Sequence, residues 1–130
     1  MKEIKKLLKL DKKQYYETHL SIINVLLPMK MTPSEIEVLA AFMGLEGNIA
    51  QYRFGPSARK IVMQELDISP AGLSNFIKSL INKGFLKKDG DLINILPILT
   101  PESDEQFYLL KLEKTTETKE NGIIHAGESN

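Results

Sequence analysis

The apolar positions of the chain fall into short periodic blocks separated by proline, glycine and polar clusters. Ile4, Leu7 and Leu8 recur at helical spacing among lysines, so Lys2 to Leu10 reads as a short helix or a frayed arm. Tyr15, Tyr16, His19, Leu20, Ile22, Ile23, Leu26 and Leu27 then follow the i, i+3, i+4, i+7 rule, with Glu17, Thr18, Ser21 and Asn24 on the other face. An amphipathic helix is the preferred reading. A strand is the alternative, because Tyr16, Thr18, Leu20 and Ile22 also alternate. Pro28 ends the segment, since proline disfavours helical geometry in the residue before it.

Thr32-Pro33-Ser34-Glu35 is a helix start. Thr32 can cap a backbone N–H, Pro33 has no N–H to waste at the first helical position, and Glu35 completes a capping box. Ile36, Leu39, Ala40 and Met43 form the apolar stripe, and Gly44 suits a left-handed stop. Leu45 to Pro56 reads as a loop, in which Tyr52-Arg53-Phe54 has the composition of a brief strand. Ser57 to Leu66 is the next helix, with Ile61, Val62 and Leu66 facing inward. After Asp67-Ile68-Ser69 the cap-plus-proline start recurs at Ser69-Pro70, and Leu73, Phe76, Ile77, Leu80 and Ile81 line one face up to Gly84. Phe85 to Lys88 and Asp91 to Leu96 alternate around Asp89-Gly90, a two-residue hairpin signal in which both positions need positive φ. Gln106 to Leu112 is a strand or a short helix; the period does not separate them. Lys114 to Asn130 is polar, with little to bury, and reads as disordered or ordered by a partner.

Composition narrows the function classes. The 130 residues contain no Cys, which removes disulfide scaffolds, thiolate metal sites and thiol nucleophiles. The longest apolar run, Leu20 to Leu27, is interrupted twice and falls far short of the roughly 20 residues of a membrane span. The lysine-rich start runs into Tyr15, Tyr16 and Glu17 rather than a signal-peptide core, so a cytoplasmic protein with no membrane partner is expected. Catalysis has no foothold: there is no phosphate-binding glycine loop, no nucleophile elbow and no sheltered carboxylate pair. His125 has no second ligand nearby, and Glu102, Asp104 and Glu105 lack calcium-loop spacing. A non-enzyme without metal or cofactor is the expectation.

Seventeen basic residues balance 17 acidic ones, which by itself speaks against a nucleic-acid partner. The balance is uneven along the chain. Residues 51–90 carry seven basic and three acidic side chains, a net of +4; residues 91–130 carry three and eight, a net of −5. A basic block thus overlaps the paired helices and the hairpin, and an acidic extension follows it.

A helix, a three-residue break, a second helix and a hairpin make helix-turn-helix spacing with a wing. The expected fold is mainly α with a small β-hairpin (α+β): a winged helix-turn-helix domain at 31–98, an N-terminal helical extension at 1–30, and a polar acidic, partly disordered extension at 99–130. The stretches MTPSEIEVLAAF and ARKIVMQELDISPAGLSNFIKSLINKGFLKKDGD resemble the DNA-binding core of MarR-like regulators, through Leu66, Ile68, Ser69, Leu73, Ser74, Lys83 and Gly84. About half of the chain takes part. Its small size and the IINVLLP lead-in also resemble winged-helix proteins of bacterial viruses. The chain departs from the MarR pattern at Asp67, where such turns often carry Gly, in its long loop and short wing, and in lacking a clear long dimerisation helix after the wing.

With the apolar face of the second helix turned inward, Ala71, Ser74, Asn75, Lys78, Ser79 and Asn82 point outward. Helix 70–83 is then the recognition helix, and Ser69, Ala71, Ser74, Asn75 and Lys78 are the candidate DNA contacts near its N-terminus. Asn75 can pair with both edge groups of adenine, and Ser74 can donate or accept. Arg59 and Lys60 on the preceding helix, with Lys87 and Lys88 on the wing, suit phosphates. Sequence-dependent double-stranded DNA binding, in transcriptional regulation or replication, is the leading expectation. The alternative is a protein-interaction module, or a homodimer, using the apolar 15–27 face through Tyr16, Leu20, Ile23 and Leu27.

Overall fold

The computed structural model describes residues 2–115. Its elements in order are α1 (Lys12–Leu26), α2 (Pro33–Met43), a short 3-10 helix (Gly47–Tyr52), α3 (Pro56–Leu66), α4 (Pro70–Asn82), β1 (Leu86–Asp89), β2 (Leu92–Ile95) and a 3-10 turn at Pro97–Leu99. This is a mainly helical α+β chain with one antiparallel hairpin. No helix among the described residues is long and apolar enough to cross a membrane.

Side-chain caps start three of the four α-helices. The Asp11 carboxylate accepts the Gln14 N–H at 2.8 Å, and Gln14 reaches back to the Asp11 N–H at 3.3 Å. The Thr32–Glu35 box closes in the same way, with bonds of 3.1 and 2.8 Å. Ser69 accepts the Gly72 N–H at 3.0 Å. Each cap supplies a partner to a donor that the helix itself cannot satisfy. The Lys2 to Leu10 segment has no such start and forms no helix; Ile4, Leu7 and Leu8 are exposed. An isolated helix that short, with no surface to pack on, does not repay the cost of its first turn.

Leu20, Leu39, Phe42, Val62, Leu73, Leu80, Leu86 and Leu99 are fully buried in one core, contributed by all four helices, the hairpin and the turn after it. Helix α1 therefore packs as part of this core, and Leu99, at the start of the polar extension, belongs to it. Leu20 and Leu27, the docking face of the alternative reading, are 0% and 7% exposed, and Tyr16 and Ile23 pack partly buried against the same cluster. Most of the apolar face of α1 is consumed by the fold, because α2 lies against it.

Two local readings around the end of α2 are corrected. Tyr52-Arg53-Phe54 is not a strand: the chain enters it from the 3-10 helix and has no neighbour to pair with there. Instead the Arg53 guanidinium donates to the carbonyls of Phe42, Met43 and Leu45 at 2.7, 3.0 and 3.1 Å, closing the C-terminal end of α2. Phe54 then stacks on Phe42 with ring centroids 4.5 Å apart. Gly44 stays right-handed at φ −77°, so α2 ends without the left-handed stop expected there.

The hairpin is present, with its turn one residue later than expected. Asp89 pairs with Leu92, so the connecting residues are Gly90 and Asp91. Gly90 has φ +61° and Asp91 does not have positive φ. That is the glycine-first pattern of a type II′ turn, which asks for one positive φ rather than two. From Pro101 to Thr115 the chain is irregular: Gln106 to Leu112 is neither strand nor helix, and no main-chain to main-chain hydrogen bond holds it among the described residues. The disorder expected from Lys114 to Asn130 lies, beyond residue 115, outside the described residues.

Candidate nucleic-acid interface

Helices α3 and α4 are joined by Asp67, Ile68 and Ser69. Asp67 ends α3 in the left-handed conformation, φ 52° and ψ 53°. Aspartate tolerates this region better than most side chains, which is why the turn works without glycine. The Asp67 and Ile68 N–H groups both donate to the Met63 carbonyl, and Ile68 packs on the core beneath. The turn is therefore set by backbone bonds and one apolar anchor.

Helix α4 buries Leu73, Ile77 and Leu80 and presents Ala71, Asn75, Lys78 and Asn82 to solvent. Those four positions recur at i, i+4, i+7 and i+11, so they form one stripe along the helix. Ser74 is half-buried at its flank. Ser69 is exposed, but its hydroxyl is committed to the cap. Asn75 also lines a shallow cleft of about 410 Å³ with Thr32 and Glu35 from α2 and Gly72, Phe76, Ser79 and Lys83 from α4.

Ser79 and Lys83 are not part of the outward face. The Ser79 hydroxyl donates to the Glu35 carboxylate at 2.6 Å, and the Lys83 ammonium donates to it at 2.6 Å. Glu35 is only 2% exposed. Burial by itself would raise its carboxyl pKa. Hydrogen bonds from Lys83, Ser79 and the Thr32 N–H, with the Lys83 charge, outweigh that and hold it down to about 2. One carboxylate thus caps α2 and locks the last turn of α4 against it.

The basic residues divide by what they already bind. Lys83 is neutralised by Glu35, and Arg53 is spent on three carbonyls. Arg59 is half-buried, with its Nε on the Phe54 carbonyl at 2.8 Å. Lys60, Lys78, Lys87 and Lys88 are exposed and make no ion pair or hydrogen bond among the described residues. The +4 block of the sequence is therefore a fold-locking pair of cations plus a smaller set available to a ligand.

Arg59 and Lys88 line a common cleft of about 750 Å³, between the 3-10 helix, the hairpin and the segment from Thr100 to Asp104. Lys87 projects from the other side of its strand, since neighbours on a strand alternate. The structure thus groups Arg59 with Lys88, and Ala71 with Asn75 and Lys78, and leaves Lys60 and Lys87 as separate exposed cations.

Composition and spacing gave no sign of the roles of Arg53, Lys83 and Ser79. Each is defined by a partner on another element. Glu35 was legible only as a cap; that it also receives Lys83 depends on the packing of α2 on α4. Comparison of the chain with family models, with curated proteins and with solved structures finds no match.

Proposed function

We propose that the chain binds double-stranded DNA as a winged helix-turn-helix module, with α4 in the major groove and the β1–β2 hairpin as the wing. The observation that carries this reading is the exposed Ala71–Asn75–Lys78 stripe on the helix that follows the tight Asp67–Ser69 turn. Small and polar side chains there leave room for base edges, and Asn75 has the donor and acceptor needed for adenine. Exposed Lys60, Lys87 and Lys88 stand on the elements flanking α4, where phosphate contacts would set its register. Lys83 and Arg53 add nothing to this, which makes the electrostatic contribution modest. A role in transcriptional regulation or in replication follows from sequence-dependent binding.

The decisive experiment is selection of preferred duplexes from a random pool, followed by titration with wild type and Asn75→Ala. The reading requires an enriched sequence and a selective loss at one base position of about 1–3 kcal/mol in the variant. Enrichment that Asn75→Ala leaves unchanged would remove α4 from the recognition role.

A further inference from the structure

The segment from Glu105 to Lys111 has the character of a strand without a partner. Its exposure alternates: Phe107 and Leu109 are 93% and 97% exposed, whereas Gln106 and Tyr108 between and beside them are less so. The central inward position, Tyr108, is held. The Tyr108 hydroxyl meets Nδ1 of His19 at 2.5 Å, and upstream the Tyr15 hydroxyl donates to the Ser103 carbonyl at 2.8 Å. The main-chain groups of Gln106, Tyr108 and Leu110 take no hydrogen bond among the described residues. An apolar segment with alternating exposure and unpaired main chain is a template for strand pairing.

The outward face reads Glu105, Phe107, Leu109, Lys111. It is complementary to itself in the antiparallel sense. With Tyr108 on a two-fold axis, Glu105 of one copy faces Lys111 of the other, and Phe107 faces Leu109, each pair occurring twice. Opposite charges and aromatic–aliphatic pairs directly across a ladder are favourable. The main chain agrees with this register. The Glu105 N–H already donates to the Ser103 hydroxyl and its carbonyl accepts from Ser103 and Gln106 side chains. Glu105 thus suits a pair without mutual main-chain bonds, the kind in which side chains approach most closely. Gln106, Tyr108 and Leu110 then exchange the main-chain bonds. The bond that Lys111 makes within its own chain, to Glu113 at 3.8 Å, is exposed and easily given up.

We propose that a second copy of this chain pairs with the first through antiparallel addition of residues 105–111, giving a two-fold dimer. The surface proposed for the partner is thus this exposed segment and not the largely buried face of α1. The inference stands apart from DNA binding; if both hold, the preferred duplex is a palindrome. A two-stranded ribbon is marginal alone, so the dimer is concentration-dependent.

Sedimentation equilibrium of the full chain over a range of concentrations tests it. Wild type is expected to show reversible monomer–dimer exchange. Glu105→Lys and Lys111→Glu each place like charges opposite one another twice, and each raises the dissociation constant on the order of tenfold. The double variant Glu105→Lys/Lys111→Glu restores complementarity and returns the constant close to wild type. Both positions are exposed, and unchanged melting by circular dichroism verifies that the variants fold. A monomer at every concentration, an assembly larger than two chains, or a dimer that the charge cycle does not weaken and restore would overturn the proposal.

Discussion

The Lys83 ammonium lies 2.6 Å from the Glu35 carboxylate, and both groups are withdrawn from solvent. The pair ties the end of α4 to the start of α2 across 48 positions of sequence. Because Glu35 also caps α2, three hydrogen bonds, one of them the ion pair to Lys83, converge on a single side chain.

Removing Lys83 leaves a buried carboxylate without its cation. Lys83→Met is expected to destabilise the fold by about 3–5 kcal/mol at neutral pH. The double variant Glu35→Gln/Lys83→Met is expected to recover a large part of the loss, because the glutamine needs no counter-charge. Urea denaturation of the three proteins measures both effects. A loss below about 1 kcal/mol in Lys83→Met, the range of exposed pairs, would mean that the pair contributes no more than a surface salt bridge.

The same site sets an acid limit. The Glu35 carboxyl titrates near 2 in the folded chain against an ordinary 4.5. The folded pKa is the lower one, so its stabilisation is complete above pH 4.5 and is lost as pH falls from there toward 2. The difference corresponds to on the order of 3 kcal/mol. Denaturation midpoints recorded through that window should fall for wild type and change less for Glu35→Gln. Equal acid sensitivity in the two proteins would assign the loss to other carboxylates.

His19 gives a second, milder dependence. Its Nε2 donates to the Leu99 carbonyl at 2.9 Å, since a carbonyl can only accept, and Nδ1 is left to accept from Tyr108 in the neutral ring. Burial disfavours the imidazolium and lowers the pKa below 6.5, partly opposed by the Leu99 bond. The unfolded chain then binds a proton that the folded chain resists. This contribution is intact above pH 6.5 and declines as pH falls below it. Tyr108→Phe, which leaves Nδ1 without its donor, is expected to cost about 1–2 kcal/mol at neutral pH. Proton NMR of the His19 ring in both proteins follows the titration directly, and a His19 pKa at or above 6.5 in wild type would contradict the burial argument.

The turn between α3 and α4 holds a correctable strain. Asp67 sits at φ 52°, where glycine has no side-chain penalty. Asp67→Gly is expected to stabilise the chain by about 0.5–1 kcal/mol, the left-handed penalty less the added freedom of the unfolded glycine. Thermal melts check this, and destabilisation would mean that the Asp67 side chain has a role beyond filling the turn.

What the sequence made legible was local. Thr32-Pro33-Ser34-Glu35 and Ser69-Pro70 mark helix starts through bonds that span three residues, and Leu73, Ile77 and Leu80 report the inward face of α4 by period alone. The α+β class and the exposed Asn75 and Lys78 follow from those signals. The hairpin turn moved by one residue because Asp-Gly and Gly-Asp both satisfy a two-residue turn, and the strand register chose between them. What stayed hidden depends on distant partners. Lys83 looked like part of a basic patch until α2 brought Glu35 to it, and Tyr108 stood in a segment whose period fitted strand and helix alike until it reached His19 across 89 positions. The apolar stripe of α1 left core and interface both open because nothing in its own sequence names α2 as its cover.

The most direct test of the DNA-binding account is a fluorescence-polarisation titration with random duplex DNA across a series of salt concentrations. With Lys60, Lys78, Lys87 and Lys88 as the available cations, binding is expected at low salt. The logarithm of the affinity should fall against the logarithm of salt with a slope of roughly −3 to −4 per chain. Charge removal at those four lysines should flatten that slope. Absence of binding at low salt with micromolar protein and above, or a slope that the lysine changes leave untouched, would contradict it.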